Sequence, residues 1–124
     1  GQRQAWVKRL VAHPGALVQA KVADLFAGPA GNVMIFFTDL FGTKALYNRP
    51  GVISDENWSL RIAADFDKKY REDVTLDRAI NIPRALALAI RSKGKPFAAD
   101  HASLLGRLDA LAVHPGSDGD TGTL

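Results

Sequence analysis

Four side chains near the middle of this chain have the types and spacing for polar recognition: Asp39, Asn48, Trp58 and Arg61. Asp39 stands where the apolar run Val33-Met34-Ile35-Phe36-Phe37-Thr38 gives way to a loop. A carboxylate at such a junction can accept hydrogen bonds from the hydroxyls of a ligand, because α/β barrels hold functional groups where strands end. It can equally accept from the N–H groups of its own loop. Asn48 precedes Arg49-Pro50-Gly51, where Pro sets one backbone angle and Gly permits the next to be positive. The resulting tight turn presents the Asn48 amide either to a polar ligand or to its own backbone. Trp58 can stack on a sugar ring, and at the start of a helix it reads first as a core residue. Arg61, three residues further on, is within reach of a loop carboxylate such as Asp55.

These residue types bind; they do not by themselves catalyse. No Gly-rich phosphate loop, His-Glu-x-x-His or Gly-x-Ser-x-Gly pattern occurs. The chain has no Cys, and His13, His101 and His114 match no metal-ligand spacing, so neither a metal nor another cofactor is expected. Sixteen Lys and Arg stand against thirteen Asp and Glu, mixed without a block of like charges, which argues against nucleic acid as a partner. No apolar run approaches the ~20 residues that span a bilayer, and charged residues follow the N-terminus where a signal peptide needs an apolar core. A cytoplasmic protein with no membrane partner is the expectation.

The elements that must position these residues follow from periodicity. Residues 33–38 form the one long strand-like run, without polar alternation, and read as a strand buried on both faces. Trp6, Val7, Leu10 and Val11 predict a short first helix that ends at His13-Pro14-Gly15. Leu17, Val18, Val22, Leu25 and Phe26 predict a second, stopped by Gly28-Pro29-Ala30-Gly31 and feeding directly into the strand. Helix, strand and loop in that order make one step of an alternating α/β fold. A broken helix follows, with Ser54 as its candidate cap and Trp58, Leu60 and Ile62 behind it. Residues 82–92 are a strong helix, capped by Asn81, opened by Pro83 and closed by Gly94. Residues 99–112 carry Leu104, Leu105, Leu108 and Leu111 on one stripe, with Ala99 or Asp100 near the cap. The Gly-, Asp- and Thr-rich tail at 113–124 reads as mobile. The chain opens abruptly on a helical pattern, as a piece cut from something larger would.

The residues from Ala16 to about Ile62 resemble the C-terminal part of the 4-α-glucanotransferases, the amylomaltase or disproportionating-enzyme family. The resemblance is carried by Thr38-Asp39-Leu40-Phe41-Gly42, which is similar to the family's Gln-Asp-Leu-Leu-Gly, then by Asn48-x-Pro50-Gly51 and Asn57-Trp58-x-x-Arg61. It implies that residues 1–62 are the last helix, strand and loop step of a (β/α)8 barrel, with 33–38 as its eighth strand. Residues 63–112 would be a helical extension and 113–124 a flexible tail. It further implies that Asn48, Asp39, Pro50 and Gly51 contact an α-1,4-glucan or maltooligosaccharide, while Asn57, Trp58 and Arg61 support that loop. The family's retaining transfer uses an Asp nucleophile, a Glu acid/base and an Asp in a His-Asp-Asn motif. All belong upstream of the matching region, so no catalytic residue is expected here; His101 follows Asp100 in the wrong order to stand in.

The competing reading is a mostly helical interaction or assembly domain without a carbohydrate role, favoured by the Leu-rich helices at 82–92 and 99–112. An unpaired strand at 33–38 would also have two raw edges, and a homodimer is the expected way to cover them.

Overall fold

The computed structural model describes residues 2–12 and 14–113, and among them helix is the one kind of regular secondary structure. In chain order the helices are α1 (Gln2–Ala12), α2 (Pro14–Ala27), α3 (Phe37–Leu40), α4 (Phe66–Thr75), α5 (Ile82–Ser92), α6 (Lys95–Asp100) and α7 (Ala102–Val113). His13 and the tail from 114 onward lie outside the described residues.

The α/β expectation is overturned: the described residues contain no strand and therefore no portion of a barrel. Residues 32–36 belong to no helix or strand; Phe36 is extended, at φ −74° and ψ 150°, but the chain then turns into α3 and not along a ladder. The reason is pairing. A strand's donors and acceptors need a second strand beside them, and the chain has no other run of that quality. Helical turns satisfy the next residues locally, with Leu40 N–H donating to Phe36 C=O and Phe41 N–H to Phe37 C=O, both at 3.0 Å.

The expected helix at 82–92 is present as α5, and its ends show why. Asn81 Oδ1 accepts from Arg84 N–H at 3.0 Å, Pro83 occupies the first turn, and Gly94 takes φ +100° just beyond the end. Two other expectations shift. The last helix is divided at His101, with α6 before it and α7 after it, so neither Ala99 nor Asp100 caps it. The broken helix begins only at α4; Ser54 instead closes a single turn, accepting from Glu56 N–H through Oγ and from Asn57 N–H through its carbonyl.

α5 runs between α2 and α7 and packs against both. Toward α2 it buries Ala85 with Val22, Ala23 and Ile80; toward α7 it buries Ala87 with Leu105 and Leu108. Alanine at both contacts lets the helix axes approach closely, and it also keeps the core thin. No large side chain among the described residues is fully enclosed. Polar staples therefore carry much of the specificity. Buried Gln19 on α2 donates through Nε2 to Asn81 C=O at 2.6 Å and accepts through Oε1 from Asn81 N–H at 3.0 Å. Asn81 Nδ2 in turn donates to Ala112 C=O at 2.9 Å, so a single residue ties α2, α5 and α7 together.

α4 and α3 attach to this core around residue 80. Ile80 N–H donates to Leu40 C=O at 2.9 Å, and the Tyr70 hydroxyl donates to Ile80 C=O at 2.8 Å. Gly42 sits at φ +63° where a Cβ would overlap the Arg78 carbonyl oxygen, so only glycine lets the two segments meet. None of the helices among the described residues is long and apolar enough to cross a membrane.

Candidate functional site

Between α3 and α4 the chain is irregular, and residues 47–61 are held by hydrogen bonds among themselves. Pro50 and Gly51 occupy the middle of a turn closed by Val52 N–H donating to Arg49 C=O at 3.3 Å, with Gly51 at φ +77°. Pro followed by a left-handed Gly is the residue pair that a type II turn requires. Asn57 locks this turn from across the loop: its Oδ1 accepts from Arg49 N–H at 2.9 Å and its Nδ2 donates to Val52 C=O at 2.7 Å. Trp58 N–H then donates to Tyr47 C=O at 3.0 Å and closes the base of the loop. To do so Trp58 takes φ +66°, a left-handed conformation that is costly for a side chain of its size. Arg61 steadies that bend, its Nη1 donating to the carbonyls of Trp58 and Leu60.

The same loop displays aromatic surface. The Tyr47 ring lies edge-on to Trp58 with centroids 4.9 Å apart, edge-on to Phe37 at 5.8 Å, and tilted to Phe36 at 6.2 Å. Trp58 is 58% exposed, which corrects its reading as a core residue. Asn48, beside Tyr47, is half-buried and its amide makes no hydrogen bond among the described residues.

Asn48, Pro50, Gly51, Asn57, Trp58 and Arg61 are thus gathered in one loop. Asp39 is not among them. It lies exposed on α3, at the rim of a separate cleft of about 330 Å³ whose walls include Val18, Val22 and Ile80. Arg61 also departs from expectation, since it holds backbone carbonyls where pairing with Asp55 was predicted. Sequence reasoning passed over Tyr47, the ring that joins Phe36 to Trp58. Its position next to Asn48 was visible, but its partners depend on the backbone bond from Trp58.

An amide, a rigid turn and flanking aromatic rings suit a ligand that combines hydroxyls with apolar faces. Among the described residues no three His, Cys, Asp or Glu side chains cluster in a way that could hold a metal. His101 stacks on Phe97 at 4.2 Å, and its Nδ1 lies 2.8 Å from Phe97 C=O. Away from the loop, burial pushes the Tyr70 phenol above its ordinary value, and hydrogen bonding to Arg91 holds Asp109 below its own. No family model, curated protein or solved structure matches the chain.

Proposed function

We propose that this chain supplies a glucan-contacting loop to a cytoplasmic 4-α-glucanotransferase, an enzyme that moves α-1,4-glucan segments between maltooligosaccharides by a retaining mechanism. The observation that carries the reading is the loop itself. Asn57 holds the Pro50-Gly51 turn and Arg61 the bend at Trp58, the supporting roles that the resemblance implies for them, and Asn48, Pro50 and Gly51 lie on the loop they hold. Trp58 and Tyr47 add aromatic faces of the sort that pack on sugar rings. The catalytic carboxylates are carried outside these residues. Retaining transfer needs two carboxyl groups about 5 Å apart on either side of the scissile bond, and the family's motifs for them are not in this sequence. The chain alone accordingly releases no glucose from maltotriose.

Titrating the chain with maltoheptaose, with a β-1,4-linked glucan as control, tests the reading by NMR. The Asn48 amide and Trp58 indole signals shift with the α-linked ligand and not with the control. Asn48→Ala weakens binding by about 1 kcal/mol, roughly fivefold, at unchanged melting temperature. Signals that ignore both glucans would sink the proposal. That outcome would favour the second reading, a helical assembly domain, which draws on the three-helix core of α2, α5 and α7.

A further inference from the structure

A second cleft, of about 230 Å³, opens where α3, the chain around Leu60 and the start of α4 meet. Its wall is apolar and largely aromatic, with Phe37, Phe41 and Phe66 joined by Leu60 and Ile62. Phe37 lies edge-on to Tyr47 at 5.8 Å and Phe41 edge-on to Tyr70 at 5.9 Å, so two of the three rings are fixed by rings outside the wall. Phe66 is 50% exposed and meets no other ring among the described residues. Arg61 and Lys69 complete the wall, and among the described residues no Asp or Glu lines it. Lys69 is already matched, its Nζ lying 2.6 Å from the Asp73 carboxylate. Arg61 has no such partner among the described residues. Its Nη1 is held by the carbonyls of Trp58 and Leu60, which fixes the guanidinium, whereas Nε and Nη2 make no hydrogen bond among the described residues. That edge of a guanidinium carries two parallel N–H groups, the fork that grips a carboxylate through both oxygens.

We propose that this cleft binds an aryl-alkanoic acid, a small molecule with one aromatic ring and a carboxylate on a short saturated chain. Its volume sets the size. An apolar cavity of about 150 Å³ holds benzene, so about 230 Å³ takes a ring with a short chain attached. The wall sets the body of the ligand, because ring-on-ring contacts gain free energy beyond the area they bury, and the Phe66 ring is without a ring partner of its own. Arg61 sets the head group. One unmatched cation answers one negative charge, which suits a carboxylate better than the doubly charged head of a phosphate monoester. Neither Asn48 nor Trp58 lines this cleft, so the proposal stands whether or not the loop binds a glucan.

Titration with 3-phenylpropionate, followed by NMR, tests it, with 3-phenylpropanol and octanoate as the comparison ligands. The ring signals of Phe37, Phe41 and Phe66 and the methyl signals of Leu60 and Ile62 shift and saturate, with a Kd of about 1 mM for the acid. The acid binds about tenfold more tightly than the alcohol, as charge-assisted hydrogen bonds predict, and more tightly than octanoate. Raising the salt concentration shrinks the preference for acid over alcohol. In Arg61→Gln that preference disappears. Because it is a ratio taken within one protein, any loosening of the bend at Trp58 weakens both ligands alike and leaves the comparison intact. Phe66→Ala weakens the acid at least about fivefold, with the circular dichroism of the parent retained because the ring is half exposed. Absence of a saturable shift at these residues overturns the proposal. So does an alcohol or octanoate that binds as tightly as the acid, or an acid preference that survives Arg61→Gln.

Discussion

Replacing Asn57 with alanine tests whether the loop is preorganised by its own side chains. The substitution removes the bond from Arg49 N–H and the bond to Val52 C=O, at 2.9 and 2.7 Å. Each hydrogen bond contributes about 0.5–1.5 kcal/mol net, and both sit near solvent, where water can replace the lost partner. The lower half of the range applies, giving about 1–2 kcal/mol for the pair. Since the loop lies outside the α2, α5 and α7 core, the loss falls on loop closure and not on global unfolding. Hydrogen exchange at the Arg49, Val52 and Trp58 amides therefore speeds up by about 5- to 30-fold, while the melting temperature stays within a degree or two.

Asn57→Asp gives a graded control. It keeps an acceptor for Arg49 N–H but turns a carboxylate toward Val52 C=O, where an amide donated before. The exchange rates rise as much as in the alanine variant or more, because an unpaired acceptor now faces an acceptor. Under the glucan reading, affinity for maltoheptaose falls in step with the open fraction of the loop, since a ligand that needs the closed form is weakened by that fraction. Unchanged exchange in Asn57→Ala, or loss of core stability with it, would refute the view that residues 47–61 close as their own unit.

The other predictions concern the framework. Gln19→Ala strands the part-buried N–H and C=O of Asn81, at up to about 1–3 kcal/mol each, and urea denaturation shows a loss of about 2–6 kcal/mol, a large share of a small domain's stability. Gly42→Ala meets both a left-handed backbone and the Arg78 carbonyl; it costs about 1–3 kcal/mol or more by the same measurement. Tyr70 is held above its ordinary pKa of 10.0 by burial, so its contribution to stability is complete below that value and is lost as pH rises through the folded pKa. The stability advantage of the parent over Tyr70→Phe, about 1 kcal/mol at neutral pH for the bond to Ile80 C=O, therefore shrinks above pH 10, followed by tyrosinate absorbance.

What the sequence revealed and what it hid divide along the range of the interactions. α5 was legible because its stop signals are local: Asn81 reaches Arg84, and Gly94 sits at the end it terminates. The turn at Pro50-Gly51 was legible for the same reason. Residues 33–38 were misread because their apolar run is equally at home in a strand and in a segment laid on a helix, and only a pairing partner decides between them. That partner is a fact about the rest of the molecule. Asp39 illustrates the same limit, since its sequence position beside the motif residues put it in one site with Asn48, whereas the turn of α3 carries it to another cleft. Within the loop the residue types were visible but their roles were not. Asn57 could be recognised in its motif, yet that it staples Arg49 to Val52 follows only once the turn fixes both groups on one side. The role of Arg61 likewise follows from the left-handed bend at Trp58, which turns two carbonyls toward it. In this loop the binding candidates and the residues that support them are interleaved, Asn48 and Trp58 alternating with Asn57 and Arg61. A variant that alters recognition can thus be told from one that alters shape only by measuring exchange and affinity on the same protein.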